Sequence, residues 1–195
     1  MNTLATGPAH GGLNLPNLLT LSRVAAVPIL AAALLVGGHA GYRIAFAIYC
    51  AASVTDYLDG HFARTQGTVS RLGTFLDPIA DKVLVAVVLL VLSADGILFG
   101  GHIWAAIIIL SREVLVSGLR EYLGELQVSV PVTWIAKWKT TAQLLAVGFL
   151  IAGPAGDEFF AHVTRIGIGL LWIAALLTLY TGYDYFRAGL RHVVD

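Results

Sequence analysis

The chain has 195 residues, of which 57% are hydrophobic and only 12% are charged, and its mean hydropathy is +0.80. Soluble domains carry about 25% charged residues, so the composition excludes an ordinary soluble protein and indicates a membrane protein. Twelve basic and twelve acidic residues cancel, so the net charge gives no sign of a nucleic-acid partner, and the single cysteine excludes an intrachain disulfide.

The amino-terminal part of the chain changes character at residue 13. Residues 1–14 are rich in glycine and other small residues and are expected to be flexible. The stretch 13–23, LNLPNLLTLSR, places leucines on one helical face and Asn17, Thr20 and Arg23 on the opposite face. This pattern is typical of a short interfacial helix lying on the membrane before the first span. It also fits an ordinary lead-in to that span.

Six apolar segments follow, each long enough to cross or nearly cross the hydrocarbon core of a bilayer. They cover residues 20–37, 43–63, 75–94, 103–123, 137–152 and 164–187. Glycine-rich or polar turns separate the segments, and neither a soluble domain nor a low-complexity tract interrupts them. The predicted fold is therefore all-α, a single polytopic membrane domain over residues 1–195 with six transmembrane helices.

The distribution of basic residues predicts the orientation of these helices. With the amino terminus in the cytoplasm, one side of the membrane carries ten basic residues, namely Arg23, Arg64, Arg71, Lys82, Arg112, Arg120, Lys137, Lys139, Arg187 and Arg191. The other side carries only Arg43 and Arg165. Both termini, and the connection between the second and third segments, are therefore expected to face the cytoplasm.

That connection is acidic, because it contains Asp56, Asp59, Asp77 and Asp81, a third of the acidic residues. Asp56 and Asp59 share a face at the end of the second helix, and Asp77 and Asp81 share a face at the start of the third. The nine residues 65–73 make a short link, which predicts two antiparallel neighbouring helices. Their aspartates would converge near the membrane surface.

Converging carboxylates repel one another unless a cation lies between them. Their hard oxygen atoms favour Mg²⁺ or Mn²⁺, and a pair of such ions would stabilise a diphosphate during phosphoryl transfer. Gly60 and Gly73 would let the diphosphate approach the backbone. Taken singly, the aspartates also have structural interpretations: Asp77 suits a helix N-cap, and Asp56 suits an ion pair with Arg64.

The spacing of these residues resembles the signature of the CDP-alcohol phosphotransferase family, DxxDGxxAR followed after eight residues by GxxxDxxxD. Every position is filled, by Asp56, Asp59, Gly60, Ala63, Arg64, Gly73, Asp77 and Asp81. The resemblance implies a six-span, homodimeric membrane enzyme whose four aspartates bind two divalent metals that hold the CDP diphosphate. It also implies that Asp81 is the base that activates the acceptor hydroxyl. Asn17, Thr20 and Arg23 are further candidates for contact with the nucleotide.

A second polar constellation lies in residues 111–126 and 134–143. Its candidate ligands for a phosphate on the acceptor are Arg112, Ser117, Arg120, Lys137 and Lys139. The fork of arginine and the point charge of lysine both suit a phosphate monoester. Simpler interpretations remain open, since the arginines could pair with Glu113, Glu121 or Glu125, and the lysines could anchor the helix at the cytoplasmic surface.

Within the family, the stretches PNLLTLSR, REVLVSGLRE and WIAKWKTTAQ are similar to the phosphatidylglycerophosphate synthase branch. We therefore expect an enzyme of phospholipid biosynthesis in a bacterial-type inner membrane, which transfers the phosphatidyl group of CDP-diacylglycerol to sn-glycerol 3-phosphate and releases CMP. One alternative is the same chemistry with inositol phosphate, serine or phosphatidylglycerol as acceptor. Another is a cation-coupled transporter that uses the same aspartates.

The remaining polar residues have no assigned chemistry. Arg43 and Arg165 are interpreted as loop or interface residues. The polar cluster between Tyr180 and Arg187 could line the cavity or anchor the sixth helix, and anchoring is the favoured interpretation.

Overall fold

The computed structural model describes residues 15–66, 71–128 and 134–190, and within these ranges it is all-helical. The helices are α1 (Leu15–Val36), α2 (Gly38–Gln66), α3 (Arg71–Ala94), α4 (Ile103–Glu125), α5 (Trp134–Gly156) and α6 (Val163–Leu190), with a 3-10 turn at Gly100–His102 before α4. The description leaves out the side chains of residues 15–17, 19, 57, 59–66, 71–74, 77, 188 and 190. The prediction of an all-α fold is confirmed.

Helix α1 differs from its prediction, because no separate interfacial helix precedes it in the described part of the chain. It runs without interruption from Leu15 to Val36. Pro16 lies in the first turn, where its missing N–H costs no helical hydrogen bond, and no further proline or glycine occurs before Pro28. Residues 15–23 are therefore the first turns of the same helix.

One stripe of α1 is buried from residue 20 to residue 34, at Thr20, Arg23, Val27, Leu30 and Leu34. The spacing alternates between three and four residues, which places these side chains on one face. The stripe is polar at its amino-terminal end and apolar beyond it. Arg23 is thereby held inside the bundle rather than on its surface.

Helix α1 packs against both α2 and α3, whereas the described residues of α2 and α3 barely touch one another. Among the described residues α1 therefore lies against both helices, and direct contact of α2 and α3 at their linked ends, whose side chains lie outside the described residues, stays a prediction. Packed helix axes lie about 8–10 Å apart, and a link of four residues, here 67–70, reaches about 17 Å. A short link can thus join two helices that flank a third one.

The turn between α1 and α2 depends on glycine. Gly37 and Gly38 adopt φ angles of +68° and +64°, which are accessible to glycine at little cost. Gly41 then brings α2 against α1 so closely that a Cβ atom there would lie 2.5 Å from the carbonyl oxygen of Ala33.

Helices α5 and α6 make the most extensive helix pair, and glycine again permits the contact. A Cβ atom at Gly153 would lie 2.3 Å from Oγ1 of Thr164. The predicted fifth segment ended at residue 152, but α5 continues to Gly156 because the carbonyl of Gly153 still accepts a hydrogen bond from the N–H of Asp157 at 2.8 Å. The Asp157 carboxylate accepts two hydrogen bonds from Thr164, which hold the pKa of Asp157 below its usual value and cap α6.

The bundle has a packed apolar core and an apolar exterior. Fully buried core residues include Leu30, Leu34, Leu89, Leu92, Ile109, Leu150, Ile151 and Leu171. Large apolar side chains such as Leu35, Leu90 and Leu176 are more than 60% exposed. In the described part of the chain, the segments Gly100–Glu125 and Val163–Arg187 are long and apolar enough to cross a membrane, with mean hydropathies of 1.5 and 1.7. The count of six spans stays a prediction.

Candidate active site

A cavity of about 790 Å³ opens among the first five helices, a volume typical of small-molecule sites. Its charged lining residues are Arg23, Asp56, Asp81, Lys82, Arg112, Glu113, Arg120, Lys137 and Lys139. The acidic residues from α2 and α3 and the basic cluster from α4 and α5, which are far apart in the sequence, therefore face a common space.

On the acidic side, Asp56 of α2 and Asp81 of α3 converge on Arg23 of α1. The Nη1 atom of Arg23 contacts Oδ1 of Asp56 and lies 3.1 Å from Oδ1 of Asp81. The Arg23 side chain is only 5% exposed, whereas those of Asp56 and Asp81 are 47% and 60% exposed. The predicted convergence of carboxylates from α2 and α3 thus occurs for this pair, across α1.

The donor set suits a divalent cation, because two carboxylates from different helices already meet at a single cationic atom. Hard oxygen ligands of this kind favour Mg²⁺ and Mn²⁺. Asp59 follows Asp56 by three residues on α2, and Asp77 precedes Asp81 by four residues on α3. The side chains of Asp59 and Asp77 lie outside the described residues, and no group of three candidate metal ligands occurs among those that are described.

On the basic side, Glu113 ties the cluster together. Its Oε1 atom lies 2.5 Å from Nζ of Lys139 and 3.3 Å from Nη1 of Arg112. The simpler interpretation that the arginines pair with carboxylates is therefore correct for Arg112 and Glu113. Ser117 lines the cavity, and its hydroxyl donates to the carbonyl of Glu113 at 2.5 Å.

Helix α6 contacts both Arg112 and Arg120. Nη2 of Arg112 donates to Oγ1 of Thr181 at 3.1 Å, and the guanidinium of Arg120 lies 5.5 Å from the ring centroid of Tyr185. Tyr180 and Tyr183 are more than 50% exposed and do not line the cavity. The polar cluster at the end of α6 thus contacts Arg120 through Tyr185 but does not line the cavity.

Several cavity residues were not found from the sequence, although a signal for them exists. Tyr49 and Ser53 line the cavity with Asp56 and share its helical face at the spacing i, i+4, i+7. Gln143 lies one turn after Lys139 on α5 and is 8% exposed. The Tyr49 hydroxyl also donates to the carbonyl of Leu144 at 2.8 Å, which joins α2 to α5.

The other predicted nucleotide contacts lie outside the described side chains. They are Asn17, Asp59, Gly60, Ala63, Arg64 and Gly73. Thr20 is described and is 1% exposed, on the same buried stripe of α1 as Arg23. Away from the cavity, Arg43 lies 3.5 Å from Glu158 and Arg165 lies 3.4 Å from His162. Both arginines lie in the first turns of helices, Arg43 in α2 and Arg165 in α6, so their interpretation as loop residues is wrong.

Comparisons with known proteins identify the same family as the aspartate pattern. Residues 13–180 match the CDP-alcohol phosphatidyltransferase family. The chain is 41% identical over 179 residues to a CDP-diacylglycerol–glycerol-3-phosphate 3-phosphatidyltransferase of Rickettsia bellii, covering 90% of this chain and 94% of that protein.

Similar relatives occur in other bacteria and in a plant. A protein of the same name from Salmonella choleraesuis is 37% identical, covering 93% of this chain and 98% of its own length. An Arabidopsis thaliana enzyme named CDP-diacylglycerol–glycerol-3-phosphate 3-phosphatidyltransferase 2 is 38% identical, covering 90% of this chain and 79% of its own length. The chain therefore belongs to the CDP-alcohol phosphatidyltransferase family, a family of transferase enzymes.

Proposed function

We propose that the chain transfers the phosphatidyl group of CDP-diacylglycerol to a hydroxyl of sn-glycerol 3-phosphate, giving phosphatidylglycerophosphate and CMP. The observation that carries this proposal is the single cavity lined by aspartates on one side and by a basic cluster on the other. The relatives from Rickettsia, Salmonella and Arabidopsis bear the name of this reaction. A divalent metal site and a phosphate-sized basic site are what its two substrates require.

We propose that Asp56, Asp59, Asp77 and Asp81 hold two Mg²⁺ or Mn²⁺ ions. Bound there, the ions would supply positive charge to the diphosphate of the donor and to the leaving phosphate. The contacts that Asp56 and Asp81 make with Arg23 support this role, because they direct carboxylate oxygens from two helices toward one cation. In the metal-free protein, the positive charge of Arg23 offsets the negative charges of both carboxylates.

The cytidine diphosphate part of the donor is proposed to lie along the ends of α1, α2 and α3 that surround these aspartates. Asn17 would contact it from α1, and Gly60, Ala63, Arg64 and Gly73 from α2 and α3. The predicted contact of Thr20 is not proposed, because its side chain is buried and does not line the cavity. The glycines would allow close approach to the backbone, and Arg64 would offer a charged hydrogen-bond donor. The support for the contacts of Gly60, Ala63, Arg64 and Gly73 is the family signature that these positions fill, whereas the contact of Asn17 rests on the polar face of the amino-terminal helix.

Asp81 is proposed as the general base. It would take the proton from the acceptor hydroxyl as the hydroxyl oxygen attacks the phosphorus that carries diacylglycerol, and the bond from that phosphorus to the CMP oxygen would break. The side chain of Asp81 is 60% exposed and faces the cavity, so an acceptor can reach it. No covalent enzyme intermediate is needed.

The acceptor phosphate is proposed to bind at the basic side of the cavity, among Arg112, Ser117, Arg120, Lys137 and Lys139. All five residues line the same cavity as Asp81. An acceptor that carries a phosphate at one end and a hydroxyl at the other could therefore span the distance between the two sides. An acceptor without a phosphate, such as serine, would offer this basic cluster no phosphate to bind.

We further propose six membrane spans, an active site facing the cytoplasm of a bacterial-type inner membrane, and a homodimer. The distribution of ten basic residues against two supports the orientation, and the apolar exterior of the helix bundle supports the embedding. The dimer rests on the family resemblance alone. Cross-linking of the purified protein in liposomes would give a band at twice the monomer mass if the dimer forms.

The reaction can be tested with purified protein in liposomes that contain CDP-diacylglycerol. Glycerol 3-phosphate, inositol phosphate, serine and phosphatidylglycerol are supplied separately with Mg²⁺, and both CMP and the lipid product are measured. CMP release with glycerol 3-phosphate alone is the expected result. Release with another acceptor contradicts the proposed acceptor, and ion flux across the vesicles without CMP release favours the transporter.

A further inference from the structure

The basic side of the cavity contains one carboxylate, Glu113, among the lining residues that α4 and α5 contribute in the described part of the chain. A negative charge close to a site for an anionic phosphate opposes binding of that phosphate. Its side chain is only 15% exposed, so solvent does not fully screen the charge. The presence of Glu113 at this place needs a physical reason.

The contacts of Glu113 supply that reason. A single oxygen, Oε1, accepts from Lys139 of α5 at 2.5 Å and from Arg112 of α4 at 3.3 Å. Lysine has four rotatable bonds and would otherwise sample many positions in a cavity of this size. The shared oxygen limits where the charged ends of Lys139 and Arg112 can lie, and it joins α4 to α5.

Arg112 is held by α6 as well. Its Nη2 atom donates to Oγ1 of Thr181 at 3.1 Å, and Thr181 donates in turn to the carbonyl of Leu177 at 2.8 Å. The side chain lies directly on Gly182, where an added Cβ atom would be 2.9 Å from Cγ of Arg112. Contacts from α4 and α6 thus fix the position of one guanidinium group.

We infer that Glu113 is a positioning residue for the acceptor, which holds Lys139 and Arg112 so that the phosphate of the acceptor meets a preformed cationic wall. This inference rests on the proposed function. Arg120 and Lys137 complete the wall, and neither has a carboxylate within ion-pair distance among the described residues. Preorganised charges bind an anion better than mobile ones, because less conformational freedom is lost on binding.

The direction of the change in the KM for glycerol 3-phosphate tests the inference. The two possible roles of Glu113 predict opposite changes in this KM when the charge of Glu113 is removed. If Glu113 only neutralises its neighbours, its removal makes the pocket more positive, and the KM for glycerol 3-phosphate falls. If Glu113 positions Lys139 and Arg112, its removal lets both side chains move, and that KM rises. Glutamine has nearly the same size, so packing is retained.

We expect Glu113→Gln to raise the KM for glycerol 3-phosphate about tenfold while leaving the KM for CDP-diacylglycerol unchanged. Glu113→Asp keeps the charge with a shorter reach and should recover part of the affinity. A KM for glycerol 3-phosphate that is unchanged or lower in Glu113→Gln would overturn the inference. So would an equal rise in the KM for both substrates, which indicates general loss of structure.

Matched variants separate positioning from charge and from folding. Glu121→Gln removes an exposed carboxylate of α4 that does not line the cavity, and it should leave both KM values unchanged. Thr181→Val removes an anchor of Arg112 without changing any charge, and it should raise the KM for glycerol 3-phosphate about threefold. If Glu113→Gln fails to fold, the KM values of Glu113→Asp and Thr181→Val decide instead. A KM for glycerol 3-phosphate equal to that of the wild type in either variant overturns the inference.

Failure of this inference can be told apart from failure of the proposed function. Wild-type CMP release with glycerol 3-phosphate tests the function, and the KM ratio between variant and wild type tests the role of Glu113. A wild-type enzyme that uses only an acceptor without a phosphate overturns both proposals. A wild-type enzyme that uses glycerol 3-phosphate, combined with an unchanged ratio, overturns only the inference.

Discussion

At the scale of single residues, Arg23 has the most unusual position in the molecule. It is a buried arginine whose Nη1 atom meets Asp56 of α2 and Asp81 of α3, the two helices that pack against α1. Buried charges persist only when they are paired, so the buried Arg23 depends on these two more exposed carboxylates. Arg23 supplies the counter-charge that makes closely placed carboxylates tolerable.

Replacing Arg23 should therefore matter most when no metal is bound. We expect Arg23→Gln to lower the free energy of unfolding of the metal-free protein by about 1–2 kcal/mol, a shift of several degrees in unfolding temperature. Added Mg²⁺ should restore most of the loss, because it offsets the same carboxylates. Thermal unfolding with EDTA and with Mg²⁺ measures both values.

The control for this prediction is Arg43→Gln, which removes an exposed arginine 3.5 Å from Glu158 and should change little. Equal losses with EDTA and with Mg²⁺ in Arg23→Gln would mean that Arg23 stabilises the bundle through packing rather than through charge.

Asp81 carries the second prediction at this scale. We expect Asp81→Asn to reduce kcat by about 10²–10⁴-fold, the usual contribution of a general base, with little change in the KM for glycerol 3-phosphate. Steady-state CMP release measures this, with Glu121→Asn as a control on an exposed surface. Near-normal turnover in Asp81→Asn with Mg²⁺ still bound would remove Asp81 from the role of base.

At the scale of helices, the contact between α5 and α6 depends on small residues rather than on apolar pattern. Gly153 lets α6 approach, and Thr164 at the start of α6 then reaches the carboxylate of Asp157. The same helix pair carries cavity residues on α5 and the Arg112 support on α6. A change in how α5 packs against α6 would therefore move residues of the cavity.

Gly153→Ala should be destabilising. Its Cβ atom would lie 2.3 Å from Oγ1 and 3.2 Å from Cα of Thr164, so the helices must separate at a cost of about 1–3 kcal/mol. Gly169→Ala is the matched control, because no atom lies within 4 Å of a Cβ added there and alanine favours helix by about 1 kcal/mol. We expect Gly153→Ala to lower the unfolding temperature and Gly169→Ala to raise it. Similar shifts in the two variants would contradict the packing argument.

At the scale of the whole molecule, the embedding of the bundle is the main open prediction. In the described chain α4 and α6 are apolar enough to span by length and composition. Helices α2 and α3 carry aspartates close to the cavity, which reduces their hydropathy without preventing a membrane position. Large apolar side chains of the described residues, such as Leu35, Leu90 and Leu176, remain more than 60% exposed in one copy of the chain, which suits contact with lipid.

The topology predicts which loops an impermeant thiol reagent can reach. In a Cys50→Ala background, Gln127→Cys in the loop after α4 should react only from the cytoplasmic side. His39→Cys at the start of α2 and Phe160→Cys in the loop after α5 should react only from the opposite side. Labelling of intact cells and of inverted membrane vesicles distinguishes these sides, and reaction of all three from one side would contradict six spans.

The chemistry of this protein is largely readable from its sequence, but the assembly of the site is not. Local patterns in a sequence predict local structure. Two such patterns are the apolar periodicity of the helices and the spacing of Asp56, Asp59, Asp77 and Asp81. Which helix lies beside which is decided by packing of distant surfaces. Thus α1 packs against both α2 and α3, and Arg23 reaches Asp56 and Asp81.

The basic side of the cavity shows the same division. Arg112, Arg120, Lys137 and Lys139 could be named as phosphate ligands because their charges suit that ligand. That Glu113 bridges Lys139 and Arg112, and that Thr181 supports Arg112 from α6, depends on contacts over 26 and 69 residues of chain. No helical period encodes such distances, so only the tertiary structure decides how these charges are held.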